Sequence, residues 1–224
     1  MAIELDLSKE VKLDLNKGIT LDLEKGDYVN LSANKLDSVK LHAGTGWNCK
    51  KVRKQGLFFS RDVREDVDLD LVAVLEDADG NFINRVYFNR HDLPGIHLDQ
   101  DDRSGSEGYK DVDHFCRSLD KDNENITIQL DRIPSNVAQI KLAVIIYNEV
   151  RKQKRLPLHT FEQIDNAYCK LVDESGRRVL CSVRMGENGG DRTAVVMANL
   201  KRVGRQWVFE AAEEYSYDNV ISLT

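Results

Sequence analysis

Asp68-Leu69-Asp70-Leu71-Val72-Ala73-Val74-Leu75 leads, after Glu76, into Asp77-Ala78-Asp79-Gly80-Asn81, and then into Phe82-Ile83-Asn84-Arg85-Val86-Tyr87-Phe88. The first run predicts a central strand, the Asp/Gly/Asn cluster a tight turn, and the last run a returning partner. A second run, Ile140 to Tyr147, is apolar on both faces, as expected of a strand covered on both sides. Working outward, Ile126-Thr127-Ile128-Gln129-Leu130 precedes it. Residues 167–172, the turn Asp173-Glu174-Ser175-Gly176, and residues 178–183, 194–201 and 206–212 follow it. Strands at such short intervals indicate an all-β protein, a β-sandwich of two mainly antiparallel sheets. One or two short helices are expected beside it. Val112, Phe115, Cys116 and Leu119 form an i, i+3, i+4, i+7 stripe, and a second helix is expected around Phe161 and Ile164.

The 224 residues, 41% hydrophobic and 31% charged, can bury a sizeable core, and with only three prolines nothing reads as an interdomain linker. A single domain over residues 1–224 is expected. Near the N-terminus, Leu5-Asp6-Leu7, Leu13-Asp14-Leu15 and Leu21-Asp22-Leu23 recur every eight residues. With turns expected at Lys17-Gly18 and Lys25-Gly26-Asp27, they read as a strand pair along a sandwich edge. The net charge of −6 would repel a phosphate backbone, so nucleic acid is not the expected partner, whereas cations are attracted. Cys49, Cys116, Cys169 and Cys181 lack zinc-ligand spacing. Cys169 is in phase with Ala167 and Leu171 and reads as a core thiol. The first residues, MAIELDLSKE, do not resemble a signal peptide, and no run approaches the roughly 20 apolar residues of a membrane-spanning helix. A cytoplasmic location is expected.

Chemistry, if any, lies in the carboxylates. Asp68 and Asp70 share one face of their strand because side chains alternate. His97 to Gly105 forms an acidic loop containing Asp99, Asp101 and Asp102, and Asp120-Lys121-Asp122-Asn123-Glu124-Asn125 forms another before a strand. Crowded carboxylates repel one another unless protonated or holding a cation, and oxygen donors without nearby His or Cys suit calcium or magnesium. A solvated turn remains the commoner reading of any one such loop. EF-hand spacing fails twice: Leu75 and Val86 stand where ligands should flank Asp77-x-Asp79-Gly80, and Asn125 replaces the required glycine after Asp120-x-Asp122-x-Glu124. Gly44-Thr45-Gly46-Trp47 lacks the Gly-Lys-Ser/Thr of a phosphate loop, and Gly105-Ser106-Glu107-Gly108 is no nucleophile elbow. No catalytic residue is expected, and the chain reads as a non-enzyme.

In order along the chain, Gly44-Thr45-Gly46-Trp47-Asn48, Val67-Asp68-Leu69-Asp70, Tyr87-Phe88-Asn89 and Asp101-Asp102-Arg103-Ser104-Gly105 resemble the motifs of the TerD family of tellurium-resistance and stress proteins. Asp122 to Leu130, Ile133-Pro134-Ser135-Asn136-Val137, Gln163 to Tyr168 and Trp207 to Ala211 continue the resemblance, which covers roughly residues 17–223. The resemblance implies a sandwich that binds one or two calcium ions and has no established catalysis. It places Asp68, Asp70, Asp101, Asp102, Asp122 and Glu124 on acidic motif positions, with Asn48, Asn123, Ser104 and Gly105 as further candidate ligands. Against the family pattern, residues 1–16 are an N-terminal extension and 106–121 a helical insert splitting the acidic loop. The function implied is a calcium-binding interaction module in tellurite or chemical stress, with other stress-response proteins as partners. A metal-dependent hydrolase and a calcium-dependent lectin, with Trp47 as a stacking platform, are the alternatives.

Overall fold

In the computed structural model, residues 5–16, 20–55, 60–64, 66–100, 112–119, 122–185, 189–219 and 222–223 are described. Fifteen strands follow in chain order: β1 (Leu21–Asp22), β2 (Tyr28–Asn30), β3 (Leu41–Cys49), β4 (Lys51–Gln55), β5 (Ser60–Arg64), β6 (Leu69–Glu76), β7 (Phe82–Val86), β8 (Asp92–Leu93), β9 (Ile96–Gln100), β10 (Glu124–Ile128), β11 (Gln139–Ile146), β12 (Ile164–Asp173), β13 (Arg178–Arg184), β14 (Ala194–Val203) and β15 (Gln206–Ser216). Two helices, α1 (Val112–Arg117) and α2 (Glu149–Gln153), accompany them. One sheet runs β1-β13-β12-β3-β10-β9-β8 and the other β2-β15-β14-β11-β6-β7, while among the described residues β4 and β5 pair only with each other. Every strand pair is antiparallel except β1–β13. This is the expected β-sandwich.

Alternation decides what each strand buries. In β6, Leu69, Leu71, Ala73 and Leu75 enter the core between the sheets, while Val72 and Val74 join a second apolar cluster on the other face. β11 does the same with Ile140, Leu142, Val144 and Ile146 against Ala143 and Ile145. Both strands are thus covered on both sides, which is why their sequences show so little polar alternation. Leu223, with Tyr87 and Phe88, supplies the outer cover. All four cysteines are buried thiols, none of them in a disulfide. Burial pushes the Cys169 thiol up to about 12, so it is an inert core group. Among the described residues, no helix is long and apolar enough to cross a membrane.

Two expectations need correction. The N-terminal repeat is not a strand pair. In the first unit Leu7–Lys9 forms a 3-10 turn with Asp6 accepting from the Ser8 amide, and Asp14 accepts from the Asn16 amide in the same way. An aspartate that binds the amide two residues on closes a local turn and diverts the backbone from a ladder. Only the third unit contributes a strand, β1, which lies parallel to β13. The second expected helix is a 3-10 turn over Phe161–Gln163, held by a Thr160/Gln163 capping box, after which Ile164 opens β12. The turn expected at Lys17-Gly18 lies outside the described residues.

Candidate metal centre

One end of the sandwich collects the acidic motifs. β3 and β9 end there and β6 and β10 begin there, as the pairs Thr45↔Glu124 and Gln100↔Asn125 require. The same end ties the two sheets together. Trp47 Nε1 donates to the Val67 carbonyl at 3.1 Å, and the Leu71 amide donates to Glu124 Oε2 at 2.5 Å. β7 accompanies β6 only from Ala73 onward, so Glu124 takes an amide near the bare start of the strand. Because Gln100 and Asn125 are register partners, the segment 101–121 leaves and re-enters the sheet at adjacent points. Of the ten candidate ligands, Asp101, Asp102, Ser104 and Gly105 lie outside the described residues.

Asp68 and Asp70 line a cleft of about 410 Å³ together with Asp66, Phe88, Tyr147, Val150, Arg151 and His159. Its walls are fixed by short-range contacts. Phe88 and Tyr147 meet edge to face with centroids 5.5 Å apart, and Asn148 brackets His159 by two hydrogen bonds of 2.8 Å to its amide and carbonyl. The Tyr147 amide donates to the Asp68 carbonyl at 2.9 Å, which seats the cleft at the shared end of β6 and β11. Asp70 is 4% exposed, Asp68 half-buried and Asp66 exposed. Strand spacing puts the Asp68 and Asp70 Cα atoms about 6.6 Å apart on one face, within reach of a single ion with 2.3–2.6 Å oxygen bonds. The carboxylates of Asp68 and Asp70 are hard oxygen donors of the kind calcium takes, with Arg151 and His159 on the same cleft.

Asp122 is held differently. Its Oδ1 accepts from the Tyr168 hydroxyl at 2.6 Å and pairs with Lys170 Nζ at 2.9 Å, and its Oδ2 lies 3.7 Å from His42 Nε2. Lys170 is fully buried, and its ammonium also donates to the Phe115 and Ser118 carbonyls at 3.0 and 2.9 Å. It therefore caps the C-terminal end of α1 and fixes the helix on the outer face of β12 and β13. The glycines of Gly44-Thr45-Gly46 make this possible. A Cβ on Gly44 would stand 2.0 Å from Asp122 Oδ2, and one on Gly46 would stand 2.7 Å from the Tyr168 hydroxyl. That motif is a seat for a buried ion pair.

The remaining candidates are placed by the backbone. Asn123 Oδ1 accepts from the Trp47 amide at 3.2 Å, and Asn48 is the register partner of Asp165. Neither lines the Asp68/Asp70 cleft, and among the described residues no three His, Cys, Asp or Glu side chains gather closely enough to hold a metal. Trp47 is fully buried in the core and offers no stacking platform for a sugar. Sequence reasoning missed Asp66, although the Asp66-x-Asp68-x-Asp70 alternation extends the pair. It also missed the Lys170–Asp122–Tyr168 network, in which Asp122 lies 46 positions from Tyr168 and 48 from Lys170.

The profile of the TerD domain matches residues 19–223. The chain is 31% identical to tellurium resistance protein TerZ of Serratia marcescens over 82% of this chain and 83% of the relative. It is 28% identical to stress response protein SCP2 of Bacillus subtilis over 85% of this chain and 89% of that one. A crystal structure of a telluride resistance protein (TerD) homologue from Streptomyces coelicolor superposes with a TM-score of 0.55 at 19% identity, covering 82% of this chain and 93% of that chain. That likeness speaks for the fold alone.

Proposed function

The chain belongs to the TerD family, and from that premise we propose that it is a calcium-binding interaction module of a tellurite or chemical stress response, acting without catalysis. The observation that carries the reading is the placement of Asp68 and Asp70 in one open cleft at the end of the sandwich where β9 ends. Two carboxylates from adjacent same-face positions supply the fixed part of a ligand set, and by the family resemblance Asp101 and Asp102 would add to it. Calcium takes six to eight oxygens in flexible geometry, whereas magnesium demands a tight octahedron and keeps its waters. When bound, the ion would neutralise the carboxylates of the cleft. Glu124, docked on the amide between Asp70 and Leu71, would hold the two sheets in register behind it. The relatives named for tellurium resistance and stress response support the physiological half of the reading. Stress-response proteins are then the expected partners, and the cytoplasm the expected compartment.

The experiment is calorimetric titration of chelator-treated protein with calcium, with magnesium as competitor. Saturable heat from calcium that excess magnesium displaces only weakly is expected. No heat from calcium, or equal affinity for both ions, would remove the calcium half of the proposal.

A further inference from the structure

The segment Val150 to Leu158 connects β11 of one sheet to β12 of the other at the cleft end of the sandwich, and its Val150 and Arg151 line the cleft. It carries four cations, Arg151, Lys152, Lys154 and Arg155, and no carboxylate, in a chain whose net charge is −6. Lys152 pairs with Glu149 at 2.9 Å, whereas among the described residues Lys154 and Arg155 have no ion pair. α2 buries no residue, and residues 152–158 are exposed without interruption. Val150, Leu156 and Leu158 are 47%, 47% and 43% exposed. The end of α2 is also closed at a steric cost. The Arg155 and Leu156 amides donate to the Lys152 and Arg151 carbonyls at 3.1 and 2.9 Å, a cap that needs one left-handed residue, and that residue is Arg155 at φ 53°. Glycine takes this conformation freely, and an arginine there is strained. A helix dipole favours a cation near its C-terminus, but it asks for neither a left-handed arginine nor three exposed aliphatic side chains.

We propose that this tip, residues 150–158, docks the protein onto an anionic lipid surface. Charge complementarity calls for a polyanion, and aliphatic side chains among the cations suit the headgroup boundary, where apolar burial and charge attraction act together. A nucleic-acid backbone would use the cations alone and leave Leu156 and Leu158 in water. The rest of the chain is more acidic than its total charge, so it would repel a polyanion that wrapped the protein. A run of exposed side chains that projects from the surface meets a plane, whereas an acidic peptide needs a groove. Tyr217, 62% exposed and lining one shallow hollow with Leu158, adds a ring of the kind favoured where one end of a side chain is apolar and the other wet. Each Lys or Arg near an anionic leaflet strengthens binding roughly fivefold, an effect that salt screens. Calcium in the neighbouring cleft would ease the repulsion between its carboxylates and the same surface, but docking by the tip does not depend on it.

The test is co-sedimentation of the full chain with phosphatidylglycerol-containing vesicles and with pure phosphatidylcholine vesicles, at low and high salt. Chelator is present throughout, so that calcium binding does not decide the result. The protein should sediment with the anionic vesicles only and be released by salt. Arg155→Gly should weaken binding about fivefold, and Lys154→Glu/Arg155→Gly by more than tenfold. Because glycine relieves the left-handed strain, the melting temperature of Arg155→Gly should be unchanged or raised, which separates docking from folding. Leu156→Ser/Leu158→Ser should weaken binding as well, as a purely ionic contact would not. Wild-type sedimentation by Lys154→Glu/Arg155→Gly, or equal binding to neutral vesicles, would overturn the proposal. So would retention on duplex DNA or on polyglutamate with none on vesicles.

Discussion

Asp122 and the Asp68/Asp70 pair look alike in the sequence, as carboxylates that open a strand at the same end of the sandwich, yet the fold treats them in opposite ways. Asp122 is sealed against Lys170 and Tyr168, with both charges fully buried. Asp68 and Asp70 face a cleft of about 410 Å³ with Asp66 beside them. A buried carboxylate facing a buried ammonium has its charge answered from within the chain, and adding a cation there would compete with Lys170. Carboxylates gathered on an open cleft leave room for a cation to enter. Arg151 and His159 line the same cleft, so what distinguishes Asp68 and Asp70 from Asp122 is their place on an open cleft, more than the density of Asp and Glu.

The largest effect is expected from breaking the sealed pair. Lys170→Met should cost about 3–5 kcal/mol, because it leaves Asp122 as a buried charge and removes the cap on α1. For a domain of this size that is a melting-temperature drop of roughly 6–20 °C. Combining it with Asp122→Leu should restore much of the loss, since replacing both partners by apolar groups is far less costly than removing one. A single variant that melts like wild type would mean the pair is not sealed. Gly44→Ala comes next. Its methyl would collide with Asp122 Oδ2, and overpacking of this kind costs about 1–3 kcal/mol. An unchanged melt would show that Asp122 can move aside.

The smallest effect sharpens the comparison at the surface. Burial alone would raise the Asp22 carboxyl, but hydrogen bonds from Arg117 and Ser182 outweigh it and hold the group below its ordinary value. A carboxyl depressed in the folded state stabilises above its unfolded pKa of about 3.9, and that contribution fades as pH falls through the lower folded value. Asp22→Asn should therefore be less stable than wild type near neutrality by a fraction of about 1 kcal/mol, the pair being partly exposed, and the gap should close below about pH 4. A gap independent of pH would assign the effect to packing.

The sheets were legible because Leu69 to Leu75 and Ile140 to Ile146 are too apolar for any strand that is not covered twice, and α1 because Cys116 lies on a helical stripe. α2 was not legible. Its five residues carry no apolar stripe, and Val150 is 47% exposed, so packing leaves no period to read. The N-terminal repeat misled because Leu-Asp-Leu alternates like a strand, whereas Asp6 and Asp14 spend their side chains on local turns. The phase of Cys169 with Ala167 and Leu171 put Lys170 on the outer face of its sheet, where a lysine is ordinarily solvated. Its burial arises from α1, folded across that face from more than 50 positions away.

The central claim is that the Asp68/Asp70 cleft, and not the Asp122 pocket, answers to calcium. Its most direct measurement is the calcium-induced shift in melting temperature of wild type, of Asp68→Asn/Asp70→Asn, and of the Lys170→Met/Asp122→Leu double variant. Calcium that binds only the native state adds about 2.7 kcal/mol at a hundred times its dissociation constant, or roughly 5–10 °C here. The account predicts that shift in wild type and in the Lys170→Met/Asp122→Leu protein, whatever its starting stability, and none in Asp68→Asn/Asp70→Asn. A shift that survives loss of Asp68 and Asp70 but disappears with Asp122 would contradict it.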